Sequence, residues 1–227
     1  MTLKNNTKEH KNTLVRGIAK PRLSVDLQTL ADFGEQHSFR KDAIIVNEGE
    51  MGGALYILIQ GRVRVFSADT SGKEITLGTV LAGDFFGEMS LDGGARSATV
   101  EALEPCLCAV VPHPHVLAFI RLNCEFAISL LKTTIVRARA ATQAARDMAL
   151  LDVYGRLSQT LNHLGKVTAD DNTPKIIKPL ISHGGLAAHV GASREMVSKL
   201  MKDLERGGYI QVNTRQITLL KKLPANW

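Results

Sequence analysis

Three cysteines among 227 residues, Cys106, Cys108 and Cys124, are too few for the disulfide framework of a small secreted fold. Cys106 and Cys108 stand two apart in an apolar run, so both side chains share one strand face and read as small core residues. No apolar run reaches the roughly 18–20 residues that a membrane helix needs. Residues 1–21 are polar and basic with no apolar stretch, which excludes a secretory signal. A cytoplasmic protein without a membrane partner is expected. His113-Pro-His115 has no companions at metal-ligand spacing, and no nucleophile–base constellation stands out. The chain is therefore read as neither a metalloprotein nor an enzyme, which sets aside a cupin-like metalloenzyme.

What is present is charge, unevenly placed. The net charge is +6: residues 1–22 carry +5, residues 23–150 carry −4 and residues 151–227 carry +5. A basic C-terminal region suits a polyanion such as DNA. Residues 1–22 lack periodicity and read as a flexible basic arm.

Between residues 38 and 111 short β-branched runs (43–46, 54–59, 63–67, 74–80, 98–102 and 106–111) alternate with Gly, Asp and Asn turns. That spacing predicts an antiparallel barrel or jelly roll, within a sensor domain over 23–122. From residue 123 to about 150 there is neither Pro nor Gly. There Ile128, Leu131, Ile135, Ala138, Thr142, Ala145 and Ala149 recur at alternating steps of three and four, the seam of a coiled coil. A dimerisation helix over 123–150 is expected. A second helix over about 152–164 comes next, then a polar stretch to residue 178 that reads as a loop or small strands.

The most informative segment is 182–207, in the C-terminal domain (151–227). Ser182 can cap a short helix whose apolar face is Leu186, Ala187 and Val190. Gly191 sits where the chain must turn, and Ser193 can cap a second helix. In that helix Val197, Leu200, Met201 and Leu204 face inward, leaving Arg194, Glu195, Ser198, Lys199 and Lys202 outward. Residues 209–212 and 217–220 flank Asn213-Thr214-Arg215-Gln216, a hairpin that reads as a wing. A helix-turn-helix places the start of its second helix against base edges. Arg can donate twice to guanine and a carboxylate can accept from cytosine. Candidate DNA-binding residues are Ser182, His183, Ser193, Arg194, Glu195, Ser198, Lys199 and Arg215. Gly184 and Gly185 in a first helical turn cost roughly 1 kcal/mol each relative to Ala.

A phosphate cassette is also legible. Phe86-Gly-Glu-Met-Ser90 is followed by Arg96-Ser97-Ala98. A buried cyclic phosphate needs a cation and donors, which Arg96, Ser97 and N–H groups near Gly87 supply, while Glu88 can accept from a ribose hydroxyl. Glu88 and Arg96 paired with each other beneath a Gly-rich turn is the alternative.

Taken in order, Gly61-Arg-Val-Arg-Val, Gly83-Asp-Phe-Phe-Gly-Glu-Met-Ser-Leu, Ala95-Arg-Ser-Ala-Thr-Val, Leu151-Asp-Val-Tyr-Gly-Arg-Leu, Gly191-Ala-Ser-Arg-Glu-Met-Val-Ser-Lys and Leu204-Glu-Arg-Gly-Gly-Tyr-Ile span most of the chain. The sequence resembles the cAMP receptor protein/FNR (CRP/FNR) family of bacterial transcription regulators. The resemblance implies an α+β fold: an N-terminal β-roll, a long dimer helix and a C-terminal winged helix-turn-helix. It implies a homodimer on promoter DNA with two half-sites, a cyclic nucleotide effector (cAMP or, second, cyclic di-GMP) and RNA polymerase as a further partner. Ligand-binding residues would be Gly87, Glu88, Met89, Ser90, Arg96, Ser97, Arg137 and Thr142. The chain departs from the family pattern in three places. The Glu88–Arg96 loop is shorter than usual, Ala141-Thr142 stands where cAMP receptors have Thr-Ser, and Lys199 stands where Arg is frequent. Iron–sulfur members carry a cysteine cluster near the N-terminus, which residues 1–50 lack. A haem member needs an axial His; His37, His113, His115 and His163 read as surface residues.

Overall fold

The computed structural model describes residues 23–165, 174–178 and 181–224. The basic arm lies outside the described residues. The first half opens on α1 (Val25–Ala31), capped by the Ser24 hydroxyl, which accepts from Leu27 N–H. Eight strands come after it: β1 (Glu35–Phe39), β2 (Ile44–Val46), β3 (Ala54–Gln60), β4 (Arg62–Ala68), β5 (Glu74–Leu81), β6 (Phe85–Phe86), β7 (Thr99–Ala102) and β8 (Cys106–Pro112). They form two antiparallel sheets, ordered β1-β8-β3-β6 and β2-β7-β4-β5. This is the expected β-roll.

The first sheet is covered on both faces, and its strands show why. In β3, Leu55 and Ile57 face the helices, while Leu58 faces the second sheet. The paired strand β8 changes sides at the same level, with Ile57 opposite Ala109 and Leu58 opposite Cys108. Cys106 and Cys108 therefore do share the inter-sheet core, and burial pushes the Cys108 thiol up to about 12. The helix-facing core joins Leu27 and Leu30 of α1 to Val116 and Phe119 of α2 (His113–Leu122). Phe126 closes it, its ring edge-on to Phe119 at 5.2 Å.

Helix α3 (Cys124–Leu150) buries only Phe126. Its 27 residues extend about 40 Å at 1.5 Å per residue, with most of the apolar seam uncovered in the protomer. Leu151 is extended, and Asp152 caps α4 (Val153–Leu164) by accepting from Gly155 N–H at 2.7 Å. Arg156 of α4 ties this bend to the C-terminal helices, donating to Leu151 O and to Val190 O, each at 2.7 Å.

The C-terminal part packs α4, α5 (His183–Val190) and α6 (Arg194–Arg206) on a small sheet of β10 (Ile210–Val212), β11 (Ile217–Leu219) and β9 (Lys175–Ile177). Leu157, Leu186, Val197, Leu204 and Ile217 form its core. This is a winged helix-turn-helix, and α5 also lies against β5 of the roll. Among the described residues no helix is long and apolar enough to cross a membrane, and no side-chain cluster could hold a metal ion.

Candidate functional site: a sensor cradle and a DNA-reading face

The turn after β5 leads through β6 to Gly87, which adopts φ 87°, and then into a 3-10 turn, Glu88–Ser90. Only glycine fits at 87. A Cβ there would stand 2.6 Å from Arg96 Nη1 and 3.1 Å from Ala54 O. That close approach seats the guanidinium. Arg96, 8% exposed, donates from Nη1 to Gly87 O and Ser90 Oγ (both 2.9 Å) and from Nη2 to Ala54 O (2.8 Å). It lies over the Tyr56 ring, itself stacked on Phe86. Arginine carries five N–H donors. Among the described residues nothing accepts from Nε–H or from a second hydrogen on Nη2. Burial with donors to spare is what an anion site requires.

The Glu88 carboxylate, almost wholly buried, pairs with Arg137 Nη1 at 2.7 Å rather than with Arg96. This corrects the alternative pairing. Arg137 also donates from Nη2 to Phe85 O at 2.7 Å and contacts Asp84 at 3.3 Å. A side chain of α3 thus fastens the long helix to the turns on both sides of β6. Such a charge-assisted, partly desolvated pair is costly to break from one side.

A cavity of about 190 Å³ opens beside Arg96, bounded by Val46, Glu50, Met51 and Tyr56. His113, expected from the sequence at the surface, is half-buried near Arg96. Its backbone N–H donates to Gly53 O, and its Nε2 is buried with no hydrogen-bond partner among the described residues. Burial pushes its imidazole below the usual range, and the neighbouring Arg96 charge adds to the effect.

Of the sequence-based ligand residues, Gly87, Glu88, Ser90, Arg96 and Arg137 converge. Met89 and Ser97 are exposed at the rim. Thr142 lies on the exposed length of α3, its hydroxyl donating to Ala138 O. Asp84, Tyr56 and His113 were missed. Asp84 stands inside a quoted motif, whereas the other two join the site only through the fold.

The DNA-reading face is built from caps. Ser182 Oγ accepts from Gly185 N–H (3.0 Å) and Ser193 Oγ from Met196 N–H (3.2 Å), so both helices start where expected. Gly191 makes the turn between them at φ 65°. Glu195, Ser198, Lys199 and Lys202 line a shallow groove along α6, and Arg194 is exposed at its start. His183 Nδ1 lies 2.9 Å from Ser198 Oγ, joining the two helices. Arg215 sits on the wing turn, where Asn213 Oδ1 accepts from the N–H groups of Arg215 and Gln216.

Two family models match. Residues 36–123 match the cyclic nucleotide-binding domain, and residues 155–223 match the Crp-like helix-turn-helix domain. The cAMP-activated global transcriptional regulator CRP of Pasteurella multocida is 30% identical over 201 residues, covering 88% of this chain and 96% of that protein. The chain belongs to the CRP/FNR family. It is accordingly a transcription regulator with a cyclic nucleotide-binding domain and a DNA-binding helix-turn-helix. Solved structures of other CRP/FNR proteins share the fold. The c-di-GMP responsive regulator CLP of Xanthomonas campestris has a TM-score of 0.74 at 21% identity, covering 86% of this chain and 98% of that one. CooA from Carboxydothermus hydrogenoformans has a TM-score of 0.74 at 19% identity, covering 85% of this chain and 86% of that one.

Proposed function

We propose that this CRP/FNR regulator is a homodimer whose binding to two promoter half-sites is controlled by a cyclic mononucleotide, cAMP first. The observation that carries the effector reading is Arg96: a buried guanidinium held by three protein acceptors, with N–H donors left over. The cyclic phosphate meets those donors, with Ser97 and the backbone near Gly87 and Met89 beside it. A ribose hydroxyl donates to Glu88, and the base extends toward Thr142. The small cavity favours one nucleotide over two. Arg137, already engaged by Glu88, Phe85 and Asp84, is not free for the guanine contacts that cyclic di-GMP would need.

The dimer reading rests on α3. Ile128, Leu131 and Ile135 are 44%, 58% and 41% exposed at seam positions, and Ala138, Ala145 and Ala149 continue the stripe. A second copy of the same helix buries that stripe symmetrically. The working division is a sensor over 23–122, a dimer helix over 123–150 and a reader over 151–227. Effector shifts the equilibrium only by binding the DNA-competent state more tightly. That state holds the two α6 helices about 34 Å apart, one helical turn of DNA. Base contacts come from Arg194, Glu195, Ser198 and Lys199, with Ser182, His183, Ser193 and Arg215 at phosphates. RNA polymerase at the promoter, in the cytoplasm, is the downstream partner. Calorimetry with cAMP, cGMP and cyclic di-GMP tests the effector. Binding of a mononucleotide that Arg96→Lys abolishes supports the reading; heat only with cyclic di-GMP, or with none of the three, refutes it.

A further inference from the structure

Serine at a DNA interface is ordinarily indiscriminate, because its hydroxyl both donates and accepts. In this chain the Ser198 hydroxyl is not independent: it lies 2.9 Å from Nδ1 of His183, the first residue of α5. Ser198 is half-buried on the groove face of α6, between Glu195 and Lys202. We infer that His183 is a specificity-positioning residue that makes Ser198 an acceptor toward DNA, selecting an amino-bearing base, adenine or cytosine, on the strand it contacts.

The placement of the hydrogen atoms sets this polarity. In a helix-turn-helix the first helix crosses the sugar–phosphate backbone. A helix N-terminus also favours an anion. His183 stands there and meets a phosphate through Nε2. A phosphate oxygen only accepts, so a neutral ring that contacts it carries its hydrogen on Nε2. Nδ1 is then a bare acceptor, and Ser198 must donate to it. The one hydroxyl hydrogen is consumed, leaving lone pairs toward the groove. Those pair with adenine N6 or cytosine N4, not with guanine O6, thymine O4 or a purine N7. A phosphate contact, which alone carries no sequence information, thereby fixes the polarity of a base contact.

This rests on the reading of the chain as a sequence-specific DNA binder, and the experiment separates the two. Double-stranded DNA is selected from a random library by the full chain with cAMP, cGMP and cyclic di-GMP all present. Ser198→Ala, His183→Ala and His183→Arg are selected in parallel. The wild type is expected to show one position preferring adenine or cytosine over guanine or thymine on the contacted strand, beyond those read by Arg194 and Glu195. One net hydrogen bond predicts a preference of about 2- to 10-fold. Ser198→Ala and His183→Ala flatten that position and leave the others. His183→Arg is the decisive variant. Arginine keeps a phosphate donor but has no acceptor, so it donates to Ser198 and frees the hydroxyl hydrogen. The same position turns toward guanine or thymine on the contacted strand. An unchanged motif in His183→Arg, or in Ser198→Ala, overturns the inference while leaving the DNA-binding reading intact. Failure of the wild type to enrich any motif overturns that reading and the inference with it.

Discussion

Truncating Leu131 to alanine should separate a two-chain seam from a helix that simply packs on its own protomer. Leu→Ala removes about three methylene equivalents, each about 0.8 kcal/mol when fully buried. Leu131 is 58% exposed in the protomer, so a little over half of that is gained only on association. About 1.4 kcal/mol is at stake per copy. A symmetric seam contains two copies, giving about 3 kcal/mol, or roughly a 100-fold weaker dimer. Sedimentation equilibrium over a dilution series reads the dissociation constant directly. Lys132→Ala, next along the helix but off the seam, should leave it unchanged. An unchanged dimer constant for Leu131→Ala, together with a loss of thermal stability typical of a core truncation, would refute the seam.

Both sites carry further expectations. Arg194→Ala should cost about 1–3 kcal/mol at the cognate operator and relax preference at one base pair; equal loss on all sequences, measured by anisotropy, would reduce Arg194 to a phosphate contact. Arg137→Ala leaves the Glu88 carboxylate buried without its cation and should destabilise the sensor by about 3 kcal/mol in urea unfolding, and a cost under about 1 kcal/mol would contradict the buried pair. His113 has a folded-state pKa lowered by burial and then by Arg96, so the unfolded chain binds its proton more readily. Its stabilising contribution is full above the unfolded value of about 6.5 and fades as pH falls through the lower folded value. Urea unfolding at about pH 5.5 and about pH 7.5, on either side of that unfolded value, should therefore show a smaller pH difference for His113→Phe than for the wild type. An equal or larger difference would contradict the buried site.

Much of the fold was legible in the sequence because it is local. β-Branched runs between Gly and Asp turns marked six of the eight roll strands to within about a residue or two. Ser182, Gly191 and Ser193 are capping and turn residues whose chemistry is complete within a few positions, so the helix-turn-helix came out with its boundaries. α2 did not, because it is only ten residues long and carries Pro114 in its first turn, where a proline is tolerated but gives no helical signal of its own. β1 is polar and largely exposed, and β6 is two residues long, too short for any period to appear. The cradle was half legible. Gly87, Glu88 and Arg96 stand in one motif, but the true partner of Glu88 lies 49 residues on, in a different element. His113 shows the same limit: only the packed fold brings it near Arg96.

If a small nucleotide at Arg96 and Glu88 controls how well α6 meets DNA, operator affinity must depend on it. The most direct test is the affinity of the selected operator for the full chain, by anisotropy, with and without each of cAMP, cGMP and cyclic di-GMP. A cyclic mononucleotide is expected to tighten binding by at least about 5-fold, within the range typical of coupled sites. Arg96→Lys should remove the effect while leaving basal binding. Identical operator affinity with and without all three nucleotides would contradict nucleotide control.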